Sequence, residues 1–98
     1  MQVGTIVRLK VTCLGNPAGT LGVIFNHYED GIQAIFKNGD YDGFSLTCDT
    51  NGISEAEHFL EPVSFAPWLA DYQFQSVMKV SWDFSSGVFD KVWEEQTA

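Results

Sequence analysis

Cys13, His27, Cys48 and His58 carry the side chains best suited to hold a metal or to act as nucleophile and base. As a set of four they offer the right donors for structural zinc. Such sites take their ligands in close pairs such as Cys-x-x-Cys, and no two of these residues are so spaced. Cys48 and His58 could also pair as nucleophile and base, but no elbow motif surrounds Cys48 and no cation flanks it to favour the thiolate. The expectation is therefore two reduced thiols serving as small interior residues, and two histidines at loops or strand ends. The run Asp49-Thr50-Asn51-Gly52 echoes the start of a calcium loop but lacks the third acidic position before the glycine. Asp40 and Asp42 flank Tyr41 and would share one side of a strand, the placement a two-carboxylate site needs; a solvated strand face explains them as well. No phosphate loop, nucleophile-elbow serine or His-Glu-x-x-His pattern occurs. The sequence thus implies no catalytic residue, no cofactor and no metal.

Aromatic residues offer a different chemistry. Eight Phe, three Trp and three Tyr are too many for a small barrel to hide easily. Tyr41, Phe44, Trp68, Tyr72 and Trp82 form the candidate binding surface, suited to a peptide, a basic protein or a small ligand if exposed beside acidic groups.

The chain has 98 residues and a net charge of −8, enough for one domain with one modest core. Residues 1–47 carry three cations (Arg8, Lys10, Lys37) against four anions, and residues 48–98 carry two (Lys79, Lys91) against nine. This field repels phosphate, so neither nucleic acid nor an anionic membrane is an expected partner. Met1 to Thr5 lack the charged start of a signal peptide, and no apolar run is long enough to span a bilayer, so the expected location is cytoplasmic.

The elements that position these residues read as mainly β. Val7, Leu9 and Val11 alternate with Arg8, Lys10 and Thr12, a strand over 5–12 with one buried face. Residues 20–28, 32–37 and 40–47 follow as strands. Gly22 marks a bulge or bend, Glu29-Asp30-Gly31 a turn with Gly31 at positive φ, and Asn38-Gly39 a type I′ hairpin. Ser54 begins a capping box for one helical turn, and 58–63 is a fifth strand that Pro62 confines to an edge. Beyond it, Pro67 starts a short helix over 66–71. Phe74, Met78, Val80 and Trp82 share strand parity over 73–82, and a helix over 85–95 is capped by Ser85 or Ser86. The expected core is Val7, Leu9, Val11, Val23, Phe25, Ile35 and Phe36, with one of the last two facing outward.

Three segments carry a family resemblance: Gly4-Thr5-Ile6-Val7-Arg8, Pro17-Ala18-Gly19-Thr20-Leu21-Gly22-Val23 and Ala34-Ile35-Phe36-Lys37-Asn38-Gly39. Together they resemble an SH3-like barrel of the KOW type. The resemblance implies a five-stranded bent antiparallel barrel over 4–63, with residues 64–98 as a C-terminal extension packed on it, all in a single domain. KOW domains commonly bind RNA or ribosomal and transcription proteins, yet this chain lacks the basic surface RNA requires. By general character it also resembles the motif-free acidic domains of mobile gene cassettes and phage genomes. The function expected is a non-catalytic binding module, for a protein partner or for its own copy as a homodimer. The alternatives are a small-molecule-binding protein or small enzyme, with a pocket between barrel and C-terminal segment, and an acidic mimic of nucleic acid.

Overall fold

Thr5, Ile6 and Val7 are buried in succession, which an alternating strand permits only if both of its faces are covered. That is the organising fact of the fold in the computed structural model, which describes residues 1–97, with side chains to 94. Five strands, β1 (Thr5–Leu9), β2 (Leu21–His27), β3 (Gly31–Phe36), β4 (Tyr41–Ser45) and β5 (Leu60–Phe65), form one antiparallel sheet in the order β4-β3-β2-β1-β5. The fold is mainly β, as the alternation implied. The sheet is not closed: β4 and β5 are its two edges, and helix α1 (Glu55–Phe59) touches both.

One face gathers Val7, Leu9, Ile24, Ile32, Ala34, Phe36 and Phe44 with Ala56 of α1 and Leu60. The other gathers Ile6, Val23, Phe25 and Ile35 beneath the C-terminal segment, which supplies Ala66, Leu69, Val80, Phe89, Val92 and Trp93. Ile35 and Phe36 are accordingly both buried, on opposite faces; the one expected outward is covered by the chain's own tail. Val11 lies past the end of β1 and is only half-buried.

The sheet bends at irregularities the sequence misplaced. Gly22 is not a bulge but a close approach: a Cβ there would stand 2.6 Å from Phe36 Cδ1, so the ring lies across the glycine. The extra residue in β2 is Phe25, between the pairs Ile24–Ala34 and Asn26–Gln33. A second, Val63, interrupts β5 against Ile6 and Val7. Gly31 does not adopt positive φ, and at Asn38-Gly39 only Gly39 does (φ +95°). Gly39 N–H closes onto Phe36 C=O at 2.8 Å, so the hairpin is a three-residue loop with one left-handed glycine rather than type I′.

Both edges resist further pairing. Along β4, Gly43 N–H is taken by Asp42 Oδ1 (2.8 Å) and Ser45 N–H by Glu55 Oε1 (3.4 Å). On β5, Pro62 has no N–H to offer, which fits its expected edge position. Ser54 caps α1 as expected, its Oγ accepting Glu57 N–H at 3.2 Å.

After β5, Pro67–Leu69 make a single 3-10 turn within the expected 66–71. The expected strand over 73–82 is replaced by helix α2 (Val77–Ser85). Met78, Val80 and Trp82 share strand parity, but on the helix Val80 turns inward, opposite Met78 and Trp82, with Phe84 beside it at i+4. Ser76 caps the helix by accepting Lys79 N–H at 3.1 Å. Ser85 ends α2 instead of starting the last helix. Gly87 (φ +86°) reverses the chain, and α3 runs from Asp90 to Thr97.

Candidate binding surface

The residues with nucleophilic, metal-ligating or paired acidic side chains lie in different settings. Cys13 is half-buried, and burial, then the charges of Asp42 and Glu55, push its thiol above the ordinary value, which makes it a poorer nucleophile. Cys48 is exposed, not interior. Cys48 and His58 do line one open cleft of about 650 Å³ beside α1. A second, of about 540 Å³, lies near Lys10, Leu46 and Leu60. Neither is placed between sheet and C-terminal segment. Asp40 Oδ2 accepts from Asn38 (2.9 Å) and Asn16 (3.3 Å), and Asp42 holds the β4 edge, so these carboxylates fasten turns and strand. Among the described residues no three His, Cys, Asp or Glu side chains are grouped to hold a metal ion, and no helix is long and apolar enough to cross a membrane.

The five candidate aromatics separate. Phe44 is in the core at 3% exposure, edge-on to Phe36 with centroids 6.3 Å apart, and so belongs to no surface. Tyr41 stands partly exposed on β4 opposite Ile35. Trp68 lies on the 3-10 turn with Lys91 Nζ 5.1 Å from its ring centre. Tyr72 is half-buried, its ring 5.5 Å from that of Phe89. Only Trp82 is broadly exposed, at 73%.

Trp82 acquires a neighbour that the strand reading hid. On α2, Met78 precedes it by one helical turn and is 83% exposed. At 100° per residue the outer arc of α2 reads Val77, Ser81, Ser85, Met78 and Trp82, all exposed and all uncharged. The i, i+4 spacing of Val80 with Phe84 and of Lys79 with Asp83 was the signal for this helix.

The inner side of α2 is held firmly. Asp83 Oδ2 accepts from Tyr72 Oη and from Lys79 Nζ, each at 2.6 Å, and Lys79 Nζ lies 4.7 Å from the Tyr72 ring centre. Burial alone would raise the Asp83 carboxyl. The Lys79 and Tyr72 hydrogen bonds, with the Lys79 charge, outweigh that, and it sits below its ordinary value. Burial, then the Asp83 carboxylate, push the Tyr72 hydroxyl well above its own. Phe84 packs over the β3–β4 turn, where a Cβ on Gly39 would stand 3.1 Å from its ring.

The molecule is thus a small mainly β domain presenting one apolar helix face. No family model, curated protein or solved structure matches the chain.

Proposed function

We propose that the chain is a non-catalytic binding module for protein, and that the outer arc of α2 is its contact surface. One observation carries the reading: Met78 and Trp82 stand a turn apart in solvent, on a helix whose other side is fixed by Val80, Phe84 and the Tyr72–Asp83–Lys79 cluster. A tryptophan and a methionine on a rigid support suit a protein contact, since aromatic anchors dominate such interfaces and a thioether adapts to irregular surfaces. Side chains take two N–H groups of the β4 edge and Pro62 offers none on β5, which argues against strand addition as the mode of binding. A charge of −8 argues against nucleic acid.

Affinity capture tests this. A wild-type bait and a Met78→Ser/Trp82→Ser bait are run in parallel, against extract of the producing cells and against a differently tagged second copy. A protein recovered by the first bait and lost by the second supports the reading; recovery equal on both, or nothing above background, overturns it. The cleft that Cys48 and His58 share favours a second reading, a small-ligand site beside α1. In a small-molecule screen by NMR, shifts confined to that cleft would favour it.

A further inference from the structure

We infer that Asn51 is a site of spontaneous covalent modification: in the folded protein its side-chain amide is converted to an acid by attack from its own backbone, while Asn38 keeps its amide. Both asparagines precede glycine, which has no Cβ to shield the nitrogen that attacks. The Gly52 nitrogen bonds to Asn51 Cγ, the Cγ–Nδ2 bond breaks, and Nδ2 leaves as ammonia, carrying the proton of the Gly52 N–H. Water then opens the cyclic imide. Entry at Cγ gives aspartate; entry at the main-chain carbonyl gives isoaspartate, with the backbone rerouted through Cγ. Nothing is oxidised or reduced. Either product adds a negative charge to the cleft that Asn51 lines with Cys48 and His58.

The two Asn-Gly pairs have matching backbones. Each glycine is left-handed, with φ +95° at Gly39 and +76° at Gly52. Each donates its N–H to the carbonyl three residues back, Gly39 to Phe36 at 2.8 Å and Gly52 to Asp49 at 3.0 Å. What differs is the side chain and its surroundings. Asn38 is held at both ends of its amide: Oδ1 accepts Asp40 N–H at 3.0 Å, and Nδ2 donates to Asp40 Oδ2 at 2.9 Å. Its Cγ cannot swing toward the Gly39 nitrogen until both bonds break. The Phe84 ring also lies against Gly39, so reshaping that turn disturbs the packing of α2. Among the described residues no hydrogen bond holds the Asn51 side chain; its backbone N–H alone is engaged, by Asp49 Oδ1 at 2.8 Å. Residues 47–53 are exposed throughout, and a Cβ on Gly52 would meet nothing within 4 Å. The turn over 49–52 can therefore open into water, as the reaction requires, with both cores intact.

Ageing the full chain at mildly alkaline pH, in water enriched in heavy oxygen, tests this. Heavy oxygen enters only where an amide is lost during the incubation. Cleavage after aromatic residues then parts the two asparagines, since Tyr41 and Phe44 lie between them, and mass spectrometry follows each peptide. In the folded chain the Asn51 peptide should convert at least about tenfold faster than the Asn38 peptide, the effect on a rate of the hydrogen bonds Asn38 must break. In urea, where the turns are gone, the two should convert at comparable rates. Asp40→Ala frees Asn38 Nδ2 and should raise the Asn38 rate toward that of Asn51. Asn51→Gln should remove the product at that position, because the longer side chain closes its ring far more slowly. Equal rates in the folded chain, an Asn51 that stays intact when folded but reacts in urea, or an Asn38 rate untouched by Asp40→Ala overturns the inference.

Discussion

The sheet and the C-terminal segment bury their apolar residues in opposite ways. In β1, β2 and β3, neighbouring residues such as Ile6 and Val7, or Ile35 and Phe36, are buried on both faces, and the β4 edge N–H groups of Gly43 and Ser45 are taken by side chains. In α2, one side is buried through Val80 while Met78 and Trp82 stand in water. The three central strands leave no large apolar side chain exposed. The tail completes the sheet's second core with one face of its helices and carries the spare face outward. On the proposed reading, stability and recognition fall to different residues, and substitutions should separate them.

The largest effect belongs to the sheet. Phe25 is fully buried under the C-terminal segment, its ring 5.5 Å from that of Phe74. Phe25→Ala should cost about 3–5 kcal/mol by transfer loss and cavity formation. Against the roughly 5–10 kcal/mol expected of a domain this size, that brings the protein near unfolding at room temperature. A urea midpoint equal to wild type would show that the second core is loosely formed.

Next comes the cluster that fastens α2. Asp83→Asn removes the charge that Lys79 and Tyr72 share, at a cost of about 1–2 kcal/mol, since hydrogen bonds to a partly exposed carboxylate are worth less than buried ones. The pH dependence has a definite sign. The Asp83 carboxyl is lowered in the folded state, so its contribution is present above the ordinary aspartate value of about 3.9 and is lost as pH falls through the lower folded value. Thermal midpoints measured from pH 6 down to pH 2 should fall less steeply for Asp83→Asn than for wild type. Parallel curves would mean that the cluster adds nothing to stability.

How far these regions were legible in the sequence follows from the same contrast. Strand existence was plain, because alternation and turn glycines coincide from Val7 to Phe44. Two-sided burial was not: whether Ile35 is covered depends on residues more than thirty positions away. The α2 helix was missed because Met78, Val80 and Trp82 are spaced by two, which satisfies strand parity, while the true inward pair Val80 and Phe84 also differ by four. Reading α2 as a strand put Trp82 on the candidate surface by its type alone and left Met78 off it. Phe44 was placed there for its type too, though its strand buries it. An exposed residue that is apolar looks, in sequence, like a core residue; only the packing tells them apart.

A smaller effect concerns the seam between the regions. Trp93 is 7% exposed, and its Nε1 is buried with no hydrogen-bond partner. An unpaired buried donor costs about 1–3 kcal/mol, comparable to what the larger ring gains over phenylalanine by burial. Trp93→Phe should therefore leave stability within about 1 kcal/mol of wild type, whereas Trp93→Ala should lose about 3–5 kcal/mol. Equal, large losses in the two variants would indicate that the indole N–H has a partner in solution.

The smallest effect on stability is expected where the effect on binding is greatest. Met78 and Trp82 keep 83% and 73% of their surface in solvent, so the folded state gains little from their burial. Serine lowers helix propensity by less than about 0.5 kcal/mol per site, and loss of exposed apolar area from both states nearly cancels. Met78→Ser/Trp82→Ser should accordingly shift unfolding by no more than about 1 kcal/mol, with the m value unchanged. A double variant that loses several kcal/mol would show that Met78 and Trp82 hold the fold. The proposed division between a sheet that supplies stability and a helix face that supplies recognition would then collapse.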